Sequence, residues 1–400
     1  MRQLFSLLLL AAFALPAFAA EDAKTVKVTV AQLEQALAEA HGKPDGEVAR
    51  QLSGLELSER LGRVKLEQLK AGLPGNKARE QLLILADLAA FLNPPSAEIP
   101  ADPTPDQAAT HQMLLQIVGY LNTTLHQLPN LTAVRDTIGF EDKPQEDALG
   151  ATGITTTAAM PLHSVGKSSV TVTYRDHKEV VDEKAMKHSS LIGGLSSWGE
   201  FGPVLGVVVL DALQGKMTWS RWEQGANGKE AVFHYSVPSE KSHYPVQFCC
   251  IPDGFNSHGS TNFRVFKEIA GYHGDIIFDP ASGAVLRIAM EAEVAAGELI
   301  SKAGIMVEYN SVEIGGEKFI CPVRSVSVLM AHTAQQTGMH SRSNYQGTAK
   351  TFLNDVAFGQ YHRFGSETRI LTGDYPDSIL PSGPASADSP GSNPTRAPSH

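Results

Sequence analysis

Three cysteines, fourteen histidines and a few neighbouring acids are the residues of this chain best equipped for chemistry. Three cysteines are too few for a four-cysteine zinc site or a disulfide-dense scaffold. Cys249 and Cys250 are adjacent, and Cys321 lies in a separate β-rich segment. Neighbours along a strand point to opposite faces, so only one of the pair can face Cys321. Tyr244, Val246 and Phe248 mark the more apolar side of their segment, which puts Cys250 on the core side. A Cys250–Cys321 bridge is therefore favoured, with Cys249–Cys321 next, a strained 249–250 bridge after it, and three free thiols still open. Closing a loop of about 70 residues would stabilise the fold by roughly 3–4 kcal/mol in the chain-entropy model. The histidines form no HExxH, and His258, His273, His332 and His340 lack partners at metal-ligand spacing. Asp275 and Asp279 flank one apolar run, but Asp279 precedes Pro280 and reads as turn chemistry. Ser196-Ser197 lies in a Gly-rich stretch without a G-x-S-x-G elbow, and Gly193-Gly194 is not followed by a phosphate-loop lysine. No catalytic, cofactor-binding or metal-binding residue is assigned, no cofactor is expected, and a non-catalytic role is the default.

Composition narrows the class. The chain has 400 residues, a formal charge of −10 and 42% apolar residues. Such an acidic chain is a poor nucleic-acid binder, because phosphate recognition needs clustered positive charge. Residues 1–19 read as a signal peptide. Arg2 supplies the positive start, Leu4 to Leu15 the apolar stretch, and Ala17-Phe18-Ala19 the small-x-small site, with the cut after Ala19. The apolar stretch is too short to span a bilayer, and no later segment is long enough. The expected mature protein is periplasmic or secreted and does not span the membrane.

The elements that must position these residues fall into two kinds. Residues 28–93 carry helical spacing and read as a small helical bundle. Thr29-Val30-Ala31-Gln32 is a capping box, Asp45 can cap a second helix, and Ser58 precedes Leu61, Val64, Leu66 and Leu69. Lys77 to Leu92 is the strongest helix. Five prolines make residues 94–106 an extended linker, and a further helix runs over 107–128 until Pro129 stops it. Residues 141–162 read as loop.

The period then changes to two, and residues 130–370 read as an antiparallel β domain of about nine strands. Asn227-Gly228, Asp279 to Gly283 and Gly315-Gly316 mark hairpin turns. Pro203 to Leu213 interrupts the strands. A helix is preferred there because Pro203 suits the first helical position and Gln214-Gly215 ends the run, although a buried strand fits the β-branched residues too. Residues 376–400 hold six prolines and six serines with almost no large apolar residue, which predicts a disordered tail.

Several stretches of the β region carry a resemblance. They are Trp219-Ser220-Arg221-Trp222-Glu223-Gln224-Gly225, Gly271-Tyr272-His273-Gly274-Asp275 with Ile276-Ile277-Phe278-Asp279-Pro280, Gly283-Ala284-Val285-Leu286-Arg287, and Glu313-Ile314-Gly315-Gly316 before Ile320-Cys321-Pro322. Over most of residues 130–360 they resemble a family of exported acidobacterial proteins. The turn pattern around Asp279-Pro280 is similar to that of periplasmic lipoprotein carriers and the related anti-sigma-factor regulators. That resemblance implies a curved antiparallel sheet, or half-barrel, with helices in its mouth and an acyl chain on its concave face. It supplies no catalytic residues.

The residues alone reach a compatible α+β picture. A nine-strand sheet needs a cover on its apolar face, and the 204–213 helix can provide it. A loose cover would leave a cleft lined by Trp198, Phe201, Trp219, Phe233, Tyr235, Phe248, Ile277 and Met290, each of which also suits an ordinary core. The expected function is binding of a lipid or lipoprotein acyl chain in the envelope. The alternative is an envelope scaffold that recruits a protein partner through its N-terminal helices, and a hydrolase comes third.

Overall fold

The computed structural model describes residues 25–144, 146–150, 153–176, 178–180, 200, 203–226, 228–255, 261–295, 299–332 and 348–364. The expected leader and tail, with Trp198, Phe201 and Asn227, lie outside them.

The N-terminal region holds α1 (Val30–Glu39), α2 (Asp45–Ser53), α3 (Arg63–Ala71) and α4 (Asn76–Leu88). Two short strands, β1 (Val26–Val28) and β2 (Leu55–Leu57), pair in parallel beside them. The capping box forms as read: Thr29 Oγ1 accepts from the Gln32 amide at 3.2 Å, and Gln32 Oε1 accepts from the Thr29 amide at 2.8 Å. Asp45 differs from expectation. It opens α2, but its carboxylate accepts from the amides of Lys77 and Ala78 at 3.1 and 2.8 Å. It caps α4 across space, and a Cβ on Gly75 would collide with it. Ser58 caps nothing, because α3 starts only after Gly62.

The β region centres on one open antiparallel sheet of ten strands. In chain order these are β3 (Leu131–Lys143), β6 (Met160–Arg175), β7 (Lys178–Val180), β8 (Lys216–Gly225), β9 (Gly228–Val237), β12 (Gly271–Phe278), β13 (Val285–Glu293), β14 (Ile300–Ile314), β15 (Glu317–His332) and β16 (Ala349–Arg363). Their spatial order is β7-β6-β3-β16-β15-β14-β13-β12-β9-β8. From β8 to β16 the chain mostly pairs neighbour with neighbour, and then β16 lies beside β3. Two ribbons stand apart: β4 (Glu146–Gly150) with β5 (Gly153–Thr157), and β10 (Pro245–Phe255) with β11 (Thr261–Ile269). The stretch read as loop over 141–162 is thus largely strand. Its Thr and Gly residues give no apolar alternation to see.

Two more helices complete the described fold, α5 (Gln107–Gln127) and α6 (Pro203–Gln214). The α6 reading holds, with Pro203 at its start, and Asp106 caps α5 by accepting from the Ala109 amide at 2.7 Å. No described helix is long and apolar enough to cross a membrane.

Alternation along the strands gives the sheet two buried faces. On β13 and β14, Ile288, Met290, Ile305 and Val307 join a core with α5 and α6, whereas Ala289 and Met306 point the other way. That second face also carries Val326, Val328, Leu353 and Phe140, and it shares one core with α1–α4. The N-terminal helices are therefore a cover of the sheet. The Pro-rich segment between them and α5 is fastened too: Trp222 Nε1 donates to the Pro103 carbonyl at 3.1 Å, and Lys229 pairs with Asp102 at 2.9 Å.

Candidate functional site

The described residues expected to line a cleft divide between the faces. Phe233, Tyr235 and Met290 lie fully buried under α5 and α6, with Met113, Ile117, Val208 and Val209 filling the space between. Trp219 is half-buried on the same side, edge-on to Phe233 and Trp222 with centroids 5.6 and 4.7 Å away. A register shift at Ser220 turns both tryptophans to one face. Ile277 belongs to the opposite face. Phe248 lies on β10, with its side chain outside the described set, as are those of Cys249 and Cys250. Over β9, β12, β13 and β14 this side is a filled core.

One buried carboxylate fastens α6 to that core. Asp211, 1% exposed, accepts from the His243 amide at 2.9 Å and from the Tyr272 hydroxyl at 2.9 Å. It also meets His243 Nδ1 at 2.7 Å. Burial, then the bond to Asp211, pushes the Tyr272 hydroxyl well above the usual tyrosine range. The helix stops at Gly215, where any Cβ would run into the Ser236 carbonyl.

The expected cysteine bridge is corrected. Cys321 is a free, fully buried thiol among Leu131, Val172, Tyr174 and Val356. Burial pushes it up to about 12, which makes it inert at neutral pH. Cys249 and Cys250 sit in the β10–β11 ribbon, outside the ten-strand order that holds Cys321. Opposite faces along one strand fixed which cysteine could point inward, but not which strands are neighbours.

The opposite face carries the chemistry. Where α3 begins, the helices and the sheet leave a cleft of about 510 Å³. Arg60, Arg63, Lys65 and Glu98 line it from the N-terminal side, and Glu223, Glu230, Arg287 and Glu308 from the sheet. Glu223 is nearly fully buried and shared by two arginines. Arg60 reaches it from the helical side, and Arg221 binds it at 2.6 and 2.9 Å while also holding Asp275 at 3.0 Å. A second clamp joins Asp87 of α4 to Arg324, which also holds Asp355 at 2.9 Å. Burial, then Asp355, pushes the Asp87 carboxyl far above the usual range. Burial works against the Arg324 charge, but Asp87 and Asp355 outweigh it and hold the guanidinium protonated.

Arg287, Glu230, Glu98 and Glu308 of the cleft have no ion-pair partner among the described residues. Arg287 is 8% exposed, donates through one nitrogen to the Ala90 carbonyl just past α4, and has no hydrogen-bond partner for Nε among the described residues. Burial, then Arg60, lowers its pKa to about 9. Glu230 makes no hydrogen bond or ion pair among the described residues. Burial, then Glu223, raises it to about 7. Its carboxyl lies over Gly225, where a Cβ would overlap it. Burial also raises Glu98.

The sequence reading missed this site, although half of it was recoverable. Glu223 and Glu230 are equidistant from the centre of the 225–228 hairpin turn, so its register sets them face to face. Arg287, flanked by Leu286 and Ile288 in an apolar strand, was a second signal. Arg60 gave none, because its role depends on where the helices dock.

No group of three or more metal-ligating side chains occurs among the described residues. Fold and site together define an α+β protein: an open ten-strand antiparallel sheet, helices on both faces, and a charged cleft under the N-terminal ones. Compared with family models, curated proteins and solved structures, the chain matches none of them.

Proposed function

We propose that the chain is an exported, non-catalytic binding protein whose ligand site is the cleft between the N-terminal helices and the sheet. The observation that carries this reading is the buried Arg287, whose Nε has no hydrogen-bond partner among the described residues, on a cleft wall that also holds the half-buried Glu230 without a protein partner. Buried charges in a purely structural interface are paired, as Glu223 and Arg324 are. A small polar ligand supplies the missing partners. Export rests on the leader-like first nineteen residues. The test is native mass spectrometry of the protein purified gently from an envelope fraction. A bound small molecule is expected on the wild type and absent from Arg287→Met, and its persistence in that variant would remove the cleft as the site.

A second reading keeps the half-barrel resemblance and places an acyl chain beneath α6. It draws on the apolar character of that helix and its single-carboxylate fastening. It requires α6 to lift, since Phe233, Tyr235 and Met290 are fully buried beneath it. Co-purifying lipid that survives Arg287→Met and increases in Asp211→Asn would favour it.

A further inference from the structure

We propose that the cleft binds a small zwitterion, with its acidic group against Arg287 and its ammonium against Glu230. This rests on the cleft being the ligand site and names the ligand's chemistry. Arg287 is a buried guanidinium with an idle donor, and Glu230 is a half-buried carboxyl with no protein partner among the described residues. One ligand carrying both opposite charges relieves both. A simple anion would meet Arg287 but crowd Glu230, Glu223 and Glu308, and a simple cation would meet Glu230 but crowd Arg287 and Arg60.

Both groups line the same cleft. Glu230 is on β9 and Arg287 on β13, with only β12 between them. Arg287 is level with Ile277 and Val232, and Glu230 lies two residues further along β9. Strands at about 4.8 Å spacing therefore put the two backbones roughly 12 Å apart, a gap that two long side chains and a small ligand share. A free amino acid and a phosphoethanolamine headgroup share this chemistry.

The hairpin is shaped for it. Gly225 lets the Glu230 carboxyl lie flat over the backbone, and any side chain at 225 would displace it. The structural duty of Arg287, holding the Ala90 carbonyl, leaves its Nε idle. The groups acting on Glu230 are Glu223 from β8, Asp279 from the β12–β13 turn, Arg60 from the helical side and Arg287 from β13. The raised carboxyl is what a site awaiting an ammonium should show, since the bound cation would restore ionisation.

The experiment is titration calorimetry on the mature full-length chain. The probes are L-alanine, glycylglycine and phosphoethanolamine, with propionate and ethylammonium as the half-ligands. At least one zwitterion is expected to bind ten-fold or more tightly than either half. Its affinity should fall as pH drops below about 7 and become flat and at least ten-fold weaker in Glu230→Gln. Gly225→Ala, which changes no charge, should weaken binding in the same way and serves if Arg287→Met fails to fold. L-alanine binding alone assigns a free amino acid, and phosphoethanolamine alone assigns a headgroup. Propionate binding as tightly as the zwitterions, or no binding by any probe, overturns the proposal. Hydrogen exchange over residues 60–65 and 223–230 in a dialysed envelope extract separates the two failures. Protection there without zwitterion binding discards the ligand class and keeps the cleft, and no protection discards both.

Discussion

The two faces of the ten-strand sheet are covered by helices in opposite ways. Under α5 and α6, the cover is held mainly by Phe233, Tyr235, Tyr272 and Met290 in close contact with aliphatic side chains. Its polar groups include Asp211, whose carboxylate is satisfied, and Glu200 and Ser327, which each leave one oxygen without a hydrogen-bond partner among the described residues. Under α1–α4, an apolar patch around Val326 and Leu353 sits beside a belt of arginines and carboxylates running through Arg60, Glu223, Arg287 and Arg324. Apolar packing closes a surface without regard to direction, whereas charged groups need particular partners and leave gaps where these are missing. One face is closed mainly by apolar packing, and the other combines an apolar patch with a charged cleft.

Four changes break or sharpen that contrast. The largest is deletion of residues 25–93. It would bare Val326, Val328, Leu353, Met306 and Phe140, so the remaining chain should lose cooperative unfolding in calorimetry and aggregate. An independently folded β domain would instead mean that the helices are an accessory. Next, Phe233→Ala on the dry face should cost about 3–5 kcal/mol in denaturant unfolding, the toll of a large cavity in close packing. A cost below ~1 kcal/mol would mean that the α5/α6 core collapses readily and could admit an acyl chain. Third, Asp211→Ala should cost about 1–3 kcal/mol, because the buried Tyr272 hydroxyl loses its acceptor. Faster hydrogen exchange should be confined to α6.

The fourth effect is the smallest and probes the charged face. The folded Glu230 carboxyl keeps its proton up to about pH 7, while the unfolded one releases it near 4.5. Its contribution is therefore present below about pH 4.5 and is lost as pH rises through 7. Asp87 and Glu98, both raised, act in the same direction. Glu230→Gln should reduce the fall in Tm between pH 5 and pH 8 and leave the variant slightly more stable at pH 8. An unchanged slope would place Glu230 in solvent.

Local chemistry was legible in the sequence, and long-range partnership was not. The Thr29–Gln32 box, the α6 start at Pro203 and the hairpins at 228, 279–283 and 315–316 all form where the residue types place them. Gly315 and Gly316 both adopt positive φ, as that turn demands. Apart from the 141–162 stretch, whose strands show no apolar alternation, what failed involves residues distant in the chain. Asp45 caps the wrong helix by that reading because α4 folds back over α2. Cys321 stays free because β15 and β10 belong to different sheets. Arg60 meets Glu223 across 163 positions, a distance that no periodicity encodes. Phe233 and Tyr235 lie in the interior, and Ile277 faces the opposite side of the sheet from them. Alternation tells which neighbours share a face, not what covers that face.

The segment around Asp102 and Pro103 has a consequence beyond tethering. β8 ends the sheet, and an open edge strand offers its backbone groups to any other chain. Here that edge hairpin is strapped by a proline-rich stretch held at Trp222 and Lys229. Pro100, Pro103 and Pro105 have no amide hydrogen to donate, which makes the strap a poor template for a further strand. The stretch that separates the helices from α5 thus doubles as a guard against strand-swapped assembly, and cutting it should release aggregation before it releases the helices.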